Sequence, residues 1–304
     1  MGTEITFIAA GGTVDHYSLL GKEAVDQWYC IQKYLSAKWS TGNQGRLLAI
    51  GGCLEKLSTS LLQVCRIRSF HEELLNTARL KLNKEVSYAA LRGDVPCADF
   101  ESLLLQGRAA LDRLTWFAAK EFGQSCNSFR KLPGLLENIR EKKELAGILL
   151  KIVKEATPWT TGLLAKIEGG DSFRDFVAHK GATTEKMSSC FGINFVANQR
   201  VLLFDCELDR FPLFSTSFEA VQYLSFTVLN TLSATIEGAV LPLDAYTCQW
   251  RPLTVVLSDF VVQESENGIL TKDFITFVKH MHPDGFVSMT RNVRADLFDH
   301  AIRL

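Results

Sequence analysis

Three residues near the middle of the chain combine a phosphate-binding cation, a carboxylate and a titratable base: Arg174, Asp175 and His179. They lie in the run Asp171-Ser172-Phe173-Arg174-Asp175-Phe176-Val177-Ala178-His179-Lys180-Gly181. A guanidinium stays charged at any physiological pH and grips phosphate oxygens in a fork. An imidazole titrates near neutrality and can take or give a proton. RNA can be cut with these groups and no metal. Its 2′-hydroxyl attacks the adjacent phosphorus, a base removes the hydroxyl proton, and a cation stabilises the charge on the phosphate oxygens. On a helix, Asp175 and His179 are four apart and share a face. The carboxylate can then accept a hydrogen bond from one ring nitrogen, fixing the tautomer and raising the basicity of the other. Arg174 stands about 140° round the helix from His179, so one copy need not bring both to one phosphate. A two-fold partner presenting the same helix would. The plainer reading keeps Arg174 as a surface ion pair with Asp171 or Glu168, and His179 as a cation at a helix C-terminus before Gly181.

The elements that must position this run are helical. From Leu47 to Tyr88, apolar residues recur at three or four, with Gly51-Gly52 as a candidate break. Gly93-Asp94-Val95-Pro96 reads as a boundary, after which Asp99 caps a helix running to about Phe122. Pro133 suits the first turn of a further helix that carries Leu136 through Val153 and stops at Pro158. Beyond the run, Phe191 to Val196 and Val201 to Cys206 read as a β-hairpin. Thr216 and Glu219 then fit a capping box opening a helix with Val221, Leu224, Val228 and Leu232 on one face. Strands are expected at Glu4 to Ala10 and Leu253 to Val262, and a short helix at Phe274 to His280. Helices with apolar stripes bury them by packing as a bundle. The fold class is therefore mainly α: a helical bundle with a small β-hairpin insertion and minor β elements near the termini. The regions are 1–92, a bundle over 93–240, and an α/β extension over 241–304.

Arg174-Asp175-Phe176-Val177-Ala178-His179 resembles the R-x4-6-H signature of the HEPN domains, in which a polar residue follows the arginine. The flanks agree, with two long helices before the motif and one after it, so the resemblance covers about residues 98–237. It implies a helical bundle that dimerises and a metal-independent endoribonuclease of toxin–antitoxin or antiviral defence systems. RNA is then the substrate, and a cognate antitoxin or defence-system protein a further partner. The carry-over reaches Arg174, Asp175 and His179 only. Some members of that family have no activity, so the alternative is a non-catalytic helical module that binds a protein or ligand.

Composition narrows the remaining classes. Hydrophobic residues make up 47% of the 304, enough for a sizeable core. The formal net charge of −1 gives no global basic field toward nucleic acid or a membrane, so any RNA contact must be a local patch. The eight cysteines are scattered without a CxxC pair and read as buried thiols of a reduced, cytoplasmic protein. No secretory signal and no apolar run long enough to span a membrane are read. No Walker or Rossmann glycine pattern occurs, so no nucleotide cofactor is expected. His71-Glu72-Glu73 lacks the second histidine of a zinc-protease motif, and His280-Met281-His282 would need a further metal ligand from elsewhere.

Overall fold

In the computed structural model, the described residues are 19–81, 88–90, 94–165, 172–179, 192–196, 199–203, 207–208, 211–246 and 255–257. They are mainly helical and form a helical bundle. The helices are α1 (Lys22–Lys38), α2 (Gln44–Lys81), α3 (Asp94–Glu121), α4 (Leu132–Glu137), α5 (Lys143–Thr160), α6 (Phe173–His179) and α7 (Leu213–Thr235). The chain divides into two compact units, each built from separated segments. The first gathers residues 1–65, 99–181 and 217–250; the second gathers 66–98, 182–216 and 251–304.

The first unit is organised around α7. Every residue from Leu224 to Ser233 is buried, so this helix is enclosed on all sides rather than on one stripe. Several of its polar residues find partners, whereas Ser225 Oγ and Thr231 Oγ1 are buried with none among the described residues. Thr227 Oγ1 donates to the Tyr223 carbonyl (2.6 Å) and Ser233 Oγ to the Ala239 carbonyl (2.6 Å). Asn230 sits at the centre of a buried knot. Gln27 Nε2 of α1 donates to its Oδ1 (3.0 Å), as does the Leu241 amide (2.9 Å), while Asn230 Nδ2 donates to the Leu241 carbonyl (2.8 Å). The Tyr246 hydroxyl reaches both Gln27 and Asn230, and burial raises its pKa. Arg46 of α2 ties the helix ends together, pairing with Glu121 of α3 (2.7 Å) and donating to the Thr235 carbonyl of α7 (2.7 Å).

Several boundaries differ from those read in the sequence, each for a local reason. α2 passes through Gly51 and Gly52 without a break. A Cβ at Gly52 would meet the Arg113 guanidinium of α3, so the glycine lets that side chain lie on the helix. α3 begins at Asp94 rather than after Asp99, because Pro96 in the first turn forfeits only an amide that has no helical acceptor. Asp99 is buried inside that helix. The expected single helix after Pro133 is two, α4 and α5, parted where Lys142 turns left-handed at φ 50°. Pro158 lies inside α5, which runs on to Thr160. α7 starts at Leu213, so Thr216 is helical and buried rather than the N-cap; Leu213 and Phe214, both 0% exposed, draw the start upstream.

Within α2, Gln44–Phe70 is long and apolar enough to cross a membrane, contrary to the reading of the sequence. Of its most apolar stretch, 56% is buried inside the protein, as a core helix would be. The second unit carries short antiparallel strands: Tyr88–Ala90, Gly192–Val196, Gln199–Leu203 and Val255–Leu257 lie side by side in that order. The strand expected at Glu4 to Ala10 and the helix at Phe274 to His280 lie outside the described residues, as do His280 and His282.

Candidate active site

α6 carries all three candidate residues, and its placement can be followed bond by bond. Seven residues cannot hold a helix alone in water. Ser172, fully buried, caps the start: its Oγ accepts the Asp175 amide (3.1 Å) and its carbonyl the Phe176 amide (3.0 Å). Two further bonds join α6 to the turn that follows α5. The Phe173 amide donates to the Gly162 carbonyl (2.9 Å) and the Arg174 amide to the Leu163 carbonyl (3.0 Å). Gly162 takes φ 84°, a left-handed conformation that glycine adopts without strain. Phe173 then anchors the helix. It is 5% exposed, with its ring 6.3 Å from that of Phe100 on α3 and 6.2 Å from that of Phe176.

α3 braces the same turn from the other side. Arg108 pairs with Asp112 one turn on (2.8 Å), and its Nη1 donates to the Leu164 carbonyl (3.1 Å). Asp112 Oδ1 in turn accepts the Phe129 amide (3.3 Å). Ser172, Phe173 and Arg108 were missed in the sequence. Ser172 followed by Asp175 at the third helical position could have been read as a cap. Nothing in the sequence pairs Arg108 with a carbonyl 56 positions away.

Against this frame the three residues take different settings. Arg174 Nη1 donates to Asp175 Oδ1 at 2.6 Å, with the side chains 30% and 18% exposed. Arg174 Nε is enclosed and has no hydrogen-bond partner among the described residues. His179 is exposed in the last turn of α6, next to an exposed Ala178. The structure therefore joins Arg174 to Asp175, and the carboxylate read as an orienter of His179 is engaged by the guanidinium. His179 stands about 7.5 Å farther along the axis and about 140° round from Arg174. Asp171 and Glu168, the alternative partners for Arg174, lie outside the described residues.

Chemically, the site offers a half-exposed guanidinium tethered to a carboxylate, and an imidazole open to solvent at the far end of the same helix. Among the described residues no three His, Cys, Asp or Glu side chains cluster as metal ligands. Of the described cysteines, Cys30 is exposed, unlike the buried thiol expected, whereas Cys53 is buried and its pKa is pushed up to about 12. Desolvation drives that rise, and the nearby Arg113 charge opposes it.

Comparison with protein-family models, with curated proteins and with solved structures returns no match.

Proposed function

We propose that the chain is a metal-independent endoribonuclease of the HEPN type that acts on RNA as a homodimer in the cytoplasm. The observation that carries the reading is α6 itself: a capped helix, seated on the bundle by Phe173, that presents an arginine and a solvent-open histidine from its two ends. In the proposed reaction Arg174 binds the non-bridging phosphate oxygens and stabilises the charge that builds on them. His179 takes the proton of the ribose 2′-hydroxyl. The 2′-oxygen forms a bond to phosphorus and the bond to the 5′-oxygen breaks. A protonated imidazole from the second copy gives its proton to that leaving oxygen, so the products are a 2′,3′-cyclic phosphate and a 5′-hydroxyl. Two copies of α6 facing one another supply both imidazoles. A cognate antitoxin or defence-system protein is the regulator this reading implies.

The test is RNA cleavage with EDTA present. Wild type is expected to cut and leave 2′,3′-cyclic ends, while Arg174→Ala and His179→Ala lose at least about a hundredfold in rate. Equal cutting by either variant overturns the assignment of that residue. One observation favours a second reading. The 2.6 Å pair with Asp175 offsets the Arg174 charge, as in a non-catalytic module whose α6 serves protein or ligand binding. On that reading neither wild type nor variant cuts RNA, and substitutions along the helix faces change partner binding instead.

A further inference from the structure

We infer that Asp175 is a positioning residue that acts through Arg174 rather than through His179: it holds the guanidinium by Nη1 and so fixes how the rest of the fork meets a phosphate. This rests on the nuclease reading above for its consequence, though its geometry does not. Neighbouring residues on a helix point about 100° apart and do not ordinarily touch. The Arg174–Asp175 contact of 2.6 Å therefore requires the arginine to bend along α6, and is a particular arrangement rather than a default of the helix surface. The Asp175 backbone is already fixed, because its amide is held by Ser172 Oγ, so the carboxylate is not needed to start the helix. Arg174 Nε is enclosed without an acceptor among the described residues. With Nε sealed and the side chain 30% exposed, a phosphate oxygen can meet the charged fork only at its amino groups. Tethering one amino group removes rotamer freedom from a long side chain before RNA arrives, so less is lost on binding.

The experiment uses the full chain and two readouts. In single-turnover RNA cleavage, Asp175→Ala is expected to fall roughly tenfold, the loss of about one charge-assisted hydrogen bond. In an Arg174→Ala background the same change is expected to do nothing further. An added tenfold loss there overturns the inference. The second readout needs no RNA. In NMR spectra at fixed pH, the Arg174 Nε resonance is expected to move between wild type and Asp175→Asn, while the His179 ring resonances stay. Moved His179 ring resonances, with Arg174 unmoved, show that the carboxylate serves the imidazole and overturn the inference. If Asp175→Ala does not fold, Asp175→Asn carries both arms. If Arg174→Ala and His179→Ala cut like wild type, the nuclease reading fails by itself, and the NMR arm still decides what Asp175 holds.

Discussion

Replacing Phe173 by alanine tests whether α6 is seated the way the structure describes. The ring is 5% exposed and lies against Phe100, which is itself 0% exposed. Truncating a buried phenylalanine costs about 3–5 kcal/mol, of which the aromatic pair accounts for about 0.5–1.5 kcal/mol. α6 has seven residues, so little intrinsic helicity resists its release. The loss should therefore fall on the docking of α6 more than on the whole bundle. At about 3 kcal/mol, the undocked population rises roughly a hundredfold, since about 1.4 kcal/mol is a factor of ten. Native-state hydrogen exchange reads this directly. The amides of Phe173, Arg174, Asp175 and Phe176 are bonded to Gly162, Leu163 and Ser172, and are expected to lose about two decades of protection. Amides between Leu224 and Ser233 of the enclosed α7 should change far less. Phe173→Leu is expected to retain most of the protection. Unchanged exchange in α6 would refute the seating. An equal fall in α7 would show that α6 is not a separable element.

Two stability measurements bear on the bundle. Gly51 has nothing within 4 Å of a built Cβ, so Gly51→Ala is expected to raise unfolding free energy by about 0.5–1 kcal/mol in a denaturant titration. Gly52→Ala should gain less, because Arg113 must first move off the helix. Cys53 supplies a pH dependence. Its folded pKa is raised, so its contribution is fully present below the unfolded value of 9.0 and is lost as pH climbs toward about 12. Stability is expected to fall across that window, and Cys53→Ala to flatten the fall; an identical slope in the variant would contradict it.

Much of the helical architecture was legible because it depends on local pattern. The stripe Phe100, Leu103, Leu104, Leu111, Leu114 and Phe117 announced α3, and each of these residues is buried. The run from Arg174 to His179 was legible as a candidate for the same reason: residue types and spacing suffice to propose a chemistry. Helix ends were less legible. Asp99 and Thr216 look like caps, yet both are interior, since upstream residues such as Leu213 and Phe214 have a core to enter. The surroundings of α7 were also hidden, because a helix enclosed on every side shows no clean polar face to read.

By itself, the sequence determined that this chain buries apolar helices and that Arg174, Asp175 and His179 share one short segment. Periodicity and spacing are written along the chain, so no fold is needed to see them. Only the tertiary structure decided which partners those groups have. It gave Asp175 to Arg174, left His179 in solvent, seated Phe173 on Phe100, and joined Gln27 to Asn230 across 203 positions. The physical reason is that hydrogen bonds and burial depend on distance in space, and the chain returns to the same place from positions that no local pattern relates.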